Sequence, residues 1–126
     1  MINISSFKTT KTTNPYNETD EVLELNINDG AVYRLNNVIK VSGTYTFSIW
    51  YKTNKNTTIT LRILGNESQI SSGTSWKKFV KTITVNSVSD QNSDIDIEVA
   101  SGAIGYFYEA YLSEGVSDTS WSPAPE

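Results

Sequence analysis

The sequence predicts an all-β fold, a β-sandwich of two antiparallel sheets with about eight or nine short strands. Ser, Thr and Asn supply roughly a third of the 126 residues, whereas strong helix formers are sparse. Apolar and polar residues alternate with a period of two in several segments, which is typical of half-buried strands. Because a chain of this length buries one core, we expect a single domain over residues 1–126.

The predicted elements follow in order from the N-terminus. Residues 1–20 hold a first short strand and a long polar loop, since residues 9–20 show no period and include Asn14-Pro15. Further strands are predicted at residues 22–27, 32–41, 45–52, 59–64, 78–85, 94–99 and 104–112. The turns between them are Asn28-Asp29-Gly30, Ser42-Gly43, Gly65-Asn66, Ser72-Gly73 and Ser101-Gly102. Residues 116–126 are expected to form an extended C-terminal tail.

The segment 45–52 gives the clearest alternation. Tyr45, Phe47, Ile49 and Tyr51 fall on one face of the predicted strand, and Trp50 falls on the other. If the first four residues form the core, Trp50 points outward, where a large apolar side chain calls for a partner. The alternative is that Trp50 is buried under a neighbouring loop or against another subunit.

Composition narrows the class of function. The formal net charge of −4 leaves no basic stripe to neutralise phosphates, so nucleic acid and anionic membranes are unexpected partners. Without cysteine the chain has neither a disulfide framework nor a thiolate metal site. Residues 1–10 lack the basic start and apolar run of a signal peptide, and no apolar stretch reaches the length of a membrane span. We therefore expect a soluble chain.

The sequence lacks the side chains that most enzymes use for catalysis. With no histidine and no cysteine, the commonest general base and the thiolate nucleophile are missing, so we expect no enzymatic activity. Asp94, Asp96 and Glu98 alternate along one predicted strand. We interpret them as a solvated face or as protection of a sheet edge, with a calcium site as the alternative.

Three motifs resemble carbohydrate-binding jelly rolls related to families 4, 9 and 22. They are the strand Gly43-Thr44-Tyr45-Thr46-Phe47-Ser48-Ile49-Trp50-Tyr51-Lys52, the segment Trp76-Lys77-Lys78-Phe79 leading into Thr82-Ile83-Thr84-Val85, and the closing strand from Tyr106 to Leu112. They appear in the family's order and span most of the chain. The resemblance implies a jelly roll of two antiparallel sheets, one of them concave and able to hold a glycan. The family often has an aspartate in the closing strand that helps to hold a structural calcium, but Glu109 is a single carboxylate here, so we expect no cofactor.

Sugar recognition on a sheet face needs flat aromatic rings for the C–H faces of the pyranose and polar groups for its hydroxyls. Trp50 and Arg62 are expected side by side, because Arg62 lies on the outward face of the next predicted strand. Lys52, Ser48 and Thr60 would line the same surface. The candidate carbohydrate-binding residues are therefore Trp50, Arg62, Lys52, Tyr108, Tyr106 and Tyr33. The tyrosines are alternatively core residues with a hydrogen-bonded hydroxyl.

Two other tryptophans are interpreted as structural. Trp76 stands where a strand begins and is expected to pack there. Trp121, in the tail Trp121-Ser122-Pro123-Ala124-Pro125, is expected to anchor an extended segment on the sandwich, or alternatively to form a joint to a further module.

The end of the chain carries a second resemblance. The turn Leu112-Ser113-Glu114-Gly115 and the Trp121–Pro125 tail resemble the closing signature of bacteriophage tail and baseplate proteins, with Ser113 in place of the usual acidic residue. The two resemblances together imply a non-catalytic carbohydrate-binding module, in a virion tail or an extracellular location, that attaches to bacterial surface glycan. The alternative is a purely structural tail or baseplate module that mediates protein assembly. Other tail proteins and a homo-oligomer are possible partners.

Overall fold

The computed structural model describes residues 9–26, 33–100 and 102–115, without the side chains of Thr9, Asn26 and Tyr33. Within these residues nine β-strands form two antiparallel sheets, which confirms the predicted all-β jelly-roll sandwich. The strands are β1 (Thr9–Thr13), β2 (Thr19–Asn26), β3 (Tyr33–Leu35), β4 (Gly43–Thr53), β5 (Thr57–Ile63), β6 (Asn66–Ser72), β7 (Lys77–Val85), β8 (Ile95–Val99) and β9 (Ile104–Glu114). In these ranges no helix is long and apolar enough to cross a membrane.

The strands are divided unequally between the sheets. The five-stranded sheet has the order β1-β2-β9-β4-β7, and the four-stranded sheet has the order β3-β8-β5-β6. Chain neighbours β4 and β5 therefore belong to different sheets. This crossing of the chain from one sheet to the other decides which of the candidate residues can meet.

Three strand predictions differ from the structure. The expected loop at residues 9–20 is instead the hairpin of β1 and β2, because Thr9 to Thr13 pair with Leu23 to Thr19. The strand predicted at residues 32–41 is only Tyr33–Leu35. Strand β6 was missed because its sequence NESQISS is mostly polar, and the strand lies at a sheet edge with most of its side chains exposed or half-buried.

The core lies between the inner faces of the two sheets. Tyr45, Phe47, Ile49 and Tyr51 of β4 are all buried there, as their alternation predicts. The four-stranded sheet contributes fully buried branched side chains, namely Ile59, Leu61, Ile63, Ile95, Ile97 and Val99. With these residues inside, the remaining side chains of β4 must point away from the core.

A β-bulge interrupts the pairing of β4 with β9. Ser48 faces Tyr111 and Trp50 faces Tyr108, so β9 holds one residue more than β4 between these pairs. Glu109 lies in this bulge with a φ of 51°, in the left-handed region that a residue with a side chain seldom adopts. The bulge changes the register in the middle of the sheet, beside Trp50.

Candidate functional site on the outer face of the five-stranded sheet

The outer face of the five-stranded sheet carries a compact group of aromatic and cationic side chains. Trp50 pairs with Tyr108 across β4 and β9, and Lys52 pairs with Tyr106 one step further along the same strands. Successive residues on one face of a strand lie about 7 Å apart, so the four side chains occupy the corners of a small grid. The structure thus brings together four of the six predicted site residues.

The hairpin of β1 and β2 reaches this grid through its turn. Asn14 is almost completely buried, and its Oδ1 accepts hydrogen bonds from the backbone N–H groups of Tyr16 (2.9 Å) and Glu18 (3.0 Å). Asn17 takes a φ of 65°, which asparagine tolerates better than most residues. The side chain of Asn14 therefore fixes the turn that presents Tyr16.

Tyr16 packs edge-on against two rings of the face. Its ring centroid lies 5.9 Å from that of Trp50 and 6.2 Å from that of Tyr108. The Tyr16 hydroxyl donates a 2.6 Å hydrogen bond to Oε1 of Glu109 in the bulge. Partial burial, followed by this hydrogen bond, raises the pKa of the Tyr16 phenol. Tyr16 nevertheless remains 51% exposed and is the most accessible aromatic ring described on this face.

A second hydroxyl joins the hairpin to β9. Tyr108 donates a 2.5 Å hydrogen bond to Oδ2 of Asp20 and accepts one of 3.3 Å from Nδ2 of Asn14. Burial and the bond to Asp20 raise the pKa of Tyr108 to about 12. The same bond, with the backbone N–H of Glu21, lowers the pKa of Asp20. These contacts hold the hairpin against the aromatic group.

Trp50 points outward as predicted, but it is only half exposed because Tyr16 lies over it. Its indole Nε1 is enclosed, and among the described residues no acceptor meets hydrogen-bond geometry with it. The Tyr16 hydroxyl lies close enough to this N–H to lower the phenol's pKa slightly, against the larger effects of burial and Glu109. The alignment of the two groups falls short of a hydrogen bond, so the indole N–H has no acceptor among the described residues. Trp50 is thus both an outward residue and partly a packing residue under a loop.

Lys52 lies between two aromatic rings. Its Nζ is 5.0 Å from the ring centroid of Trp76 and 5.5 Å from that of Tyr106, within the range of cation–π attraction. The Trp76 indole donates a 3.0 Å hydrogen bond to the carbonyl of Thr13, at the end of β1. Trp76 therefore connects the entry of β7 to the β1–β2 hairpin, a packing contact that also brings its ring to the candidate site.

The opposite end of this face is closed. Thr46 and Ser48 continue the outward row of β4, yet both are buried. The Thr46 hydroxyl donates a 2.6 Å hydrogen bond to the carbonyl of Gly115. The accessible part of the face is therefore the region around Tyr16, Trp50 and Lys52, and Ser48 does not line it.

The predicted placement of Arg62 beside Trp50 is wrong. Strand β5 belongs to the four-stranded sheet, so Arg62 and Thr60 lie on the other side of the sandwich from Trp50. Strands β4 and β5 follow each other in the chain, but consecutive strands need not pair. A two-sheet fold often sends consecutive strands to different sheets.

Arg62 belongs instead to a row of alternating charges across the four-stranded sheet. Arg34, Asp96, Arg62 and Glu67 stand opposite one another on β3, β8, β5 and β6. Arg34 binds Asp96 through two contacts of 2.7 and 2.9 Å, and Arg62 bridges Glu67 at 3.0 Å and Glu98 at 3.3 Å.

The expectation that the acidic strand protects a sheet edge is wrong, because β8 lies between β3 and β5 and Asp96 is almost completely buried. Asp96 and Glu98 are paired with arginines, and Asp94 accepts a 2.9 Å hydrogen bond from the backbone N–H of Asn37. A cleft of about 380 Å³ lies beside the charged row, lined by Arg34, Arg62, Gly65, Glu67, Asp90, Gln91, Asp94 and Asp96. Its arginines already hold carboxylates and its described lining has no aromatic ring, so we favour the aromatic face as the binding site.

Several expectations fall outside the described residues, among them the first short strand before residue 9, and two useful residues do not follow from the sequence pattern. Tyr33 lies in β3, but its side chain is not described, and Trp121 belongs to the tail that is also outside. The segment that holds Tyr16 shows no alternation, so the period-two pattern does not indicate this residue, and the position of Trp76 before a strand predicts only a packing role. The sequence feature that could have indicated Tyr16 is Asn14-Pro15. This dipeptide is typical of a tight turn, and a turn before a strand predicts a hairpin with Tyr16 at its tip.

Solved structures with a similar fold include several carbohydrate-binding modules. A family 16 carbohydrate-binding module aligns with a TM-score of 0.58 at 15% identity, over 87% of this chain and 88% of its own. A CBM4 module aligns with a TM-score of 0.57 at 13% identity, over 75% and 83% of the two chains. The N-terminal cellulose-binding domain of β-1,4-glucanase C from Cellulomonas fimi gives 0.52 at 12% identity, over 77% and 79%.

These likenesses establish the fold. The expected resemblance to carbohydrate-binding jelly rolls is confirmed at the level of architecture. No protein-family model and no curated protein matches the sequence. The bacteriophage origin inferred from the C-terminal motif stays a prediction.

Proposed function

We propose that this domain is a non-catalytic carbohydrate-binding module whose site is the outer face of the five-stranded sheet. The observation that carries the proposal is the accessible aromatic group of Tyr16, Trp50, Tyr106, Tyr108 and Trp76, joined by Lys52, on a fold shared with carbohydrate-binding modules. Aromatic rings cover the apolar faces of sugars, and nearby hydroxyl, amine and carboxylate groups bind their hydroxyls.

In this proposal the exposed ring of Tyr16 is the main stacking surface. Trp50 supports it from below, and the hydrogen bonds to Glu109 and from Tyr108 to Asp20 hold the hairpin in place. A ring held in this way loses little conformational freedom when a ligand binds, which favours affinity. Tyr106 and Lys52 extend the surface along the strands.

The wider biological setting follows from the sequence motifs. A phage tail or baseplate protein that carries this module would attach to glycan on the surface of a bacterial host. Weak binding at each site is sufficient when a particle displays many copies, because linked sites act together.

A specific observation favours a second function, that of a structural assembly module without a glycan site. Trp50 is partly covered by Tyr16, and Thr46 and Ser48 are buried, so a large part of the outer face is already occupied. In this case Tyr16 and Trp50 pack the hairpin onto the sheet and bind no ligand.

The test is binding of the purified domain to a bacterial glycan array and to isolated cell-wall polysaccharide. Tyr16→Ala and Trp50→Ala should each weaken binding about fivefold or more, since truncation of an aromatic anchor costs more than about 1 kcal/mol. Gln69→Ala is the matched control, because Gln69 is exposed on β6 of the other sheet. Circular dichroism and thermal unfolding verify that each variant is folded.

The two functions give different results. Saturable binding that Gln69→Ala preserves and Tyr16→Ala weakens supports the carbohydrate site. Absence of binding to every polysaccharide, including the wall of the natural host, would instead favour the assembly module.

A further inference from the structure

We propose that the ligand of this face is an acidic saccharide, one that carries a carboxylate or phosphate group, and that Lys52 binds this anionic group. The inference rests on the proposed function and defines its ligand class. It depends on the position and the partners of Lys52, because the aromatic rings alone accept neutral sugars equally well.

Lys52 lies in the accessible part of the face without a counter-ion. Its ammonium contacts the rings of Trp76 and Tyr106, and within the described residues it makes neither an ion pair nor a hydrogen bond to a side chain. An ammonium has three N–H donors, and aromatic rings satisfy these only weakly. Lys52 therefore offers donors and a full positive charge to a ligand at this position.

The two rings also determine where the charge is held. A lysine on an exposed strand normally samples many rotamers, and fixing it costs conformational entropy. Trp76 lies just before β7 and Tyr106 lies on β9. Contact with these two rings restricts the Lys52 Nζ before any ligand arrives. Trp76 is itself fixed by its hydrogen bond to Thr13. This arrangement favours one position for the anionic group of a bound sugar.

Further charged side chains lie around the aromatic group. Lys78 of β7 pairs with Trp50, and its Nζ lies 5.9 Å from the Trp50 ring, so a second ammonium flanks the aromatic group. The carboxylates of Asp20 and Glu109 lie at the hairpin end, where each accepts a hydrogen bond from a tyrosine hydroxyl. Glu24 of β2 also stands opposite Tyr106, in the row of Lys52, but none of the described ion pairs joins it to Lys52. The proposed anion binding therefore rests on the ammonium of Lys52 itself.

The experiment compares one polysaccharide with its own neutral form. Polygalacturonate and carboxyl-reduced polygalacturonate are titrated against the wild-type domain, and a purified teichoic acid provides phosphate in place of carboxylate. We expect at least one acidic polymer to bind about tenfold more tightly than the neutral polymer, corresponding to a single charge-assisted contact. Binding of the acidic polymer should weaken as sodium chloride rises from low to high concentration, because salt screens exposed charges.

Variants of Lys52 identify the residue responsible. Lys52→Met removes the ammonium but keeps an apolar stem on the rings, so it should abolish the difference in affinity between the acidic and the neutral polymer. Lys52→Arg keeps the charge and should retain the preference. Thermal unfolding of both variants verifies that the fold is intact.

Each outcome decides the matter. Equal binding of acidic and neutral polymers, or an acidic preference that survives Lys52→Met, overturns the inference and leaves the carbohydrate-binding function standing. If the domain binds none of these polymers and no glycan on the array, both the acidic-ligand inference and the carbohydrate-binding function are overturned. A preference for polygalacturonate indicates a carboxylate ligand, and one for teichoic acid indicates a phosphate ligand.

Discussion

Gly105 of β9 is the position where a single methyl group tests the packing of the two sheets most directly. A Cβ atom built on Gly105 would lie 2.7 Å from Cγ2 of Val99 in the other sheet and 2.8 Å from Cε2 of Phe107. Ordinary contacts between such carbons need about 3.5–4.0 Å. Both neighbours are almost completely buried, so neither has free space into which to move.

The expected cost of Gly105→Ala follows from these distances. Overpacking of a filled core costs about 1–3 kcal/mol, and the smaller entropy of an unfolded alanine offsets about 0.4–1 kcal/mol of this. We therefore expect a net loss of about 1–2 kcal/mol in the free energy of unfolding. At about 2.1 cal/mol/K per residue, the unfolding entropy of this domain converts that loss into a Tm decrease of about 4–8 °C.

Thermal unfolding followed by circular dichroism measures this decrease. Gly73→Ala is the matched control, because its added Cβ would meet only Oδ1 of Asn56, the end of an exposed side chain that can rotate away. An unchanged or higher Tm for Gly105→Ala, with a normal control, would show that β8 and β9 are not packed as closely as described.

Four further predictions concern the hairpin and the charged row. Tyr16→Phe removes the hydroxyl bonded to Glu109 and should lower the free energy of unfolding by about 0.5–1.5 kcal/mol in chemical denaturation. Arg62→Met should change this free energy by less than about 1 kcal/mol, since its ion pairs are partly exposed, and a loss of glycan binding would contradict the placement of Arg62 on the other sheet. The pKa of Tyr108 is raised to about 12, so its contribution to stability should be complete below pH 10 and disappear as the pH approaches 12, which tyrosinate absorbance can follow. The pKa of Asp20 is lowered instead, so its contact should persist above pH 3.8 and be lost below it, which hydrogen exchange of the hairpin would detect.

Much of the candidate site was predictable from local pattern. The alternation in β4 correctly separates the core residues Phe47 and Ile49 from the outward residues Trp50 and Lys52. The same reasoning correctly places Tyr106 and Tyr108 together on one face of β9. A period of two is a consequence of the pleat and needs no knowledge of the partner strands.

Partner strands, by contrast, depend on contacts between residues far apart in the chain. Arg62 was assigned to the wrong face because its own strand pattern says which side points outward but not which sheet it joins. Tyr16 reaches Glu109 across 93 residues of sequence, and no local pattern encodes that contact.

The sequence by itself determined the class of fold, the core of the central strand and the absence of the usual catalytic side chains, because these follow from composition and short-range periodicity. Only the tertiary structure decided that β4 and β5 lie in different sheets, that the β1–β2 hairpin carries Tyr16 onto Trp50, and that Lys52 stands between two rings. The physical reason is that strand pairing and side-chain packing depend on contacts throughout the core, between residues far apart in the chain. A residue's direction is a property of its strand, whereas its neighbours are a property of the fold.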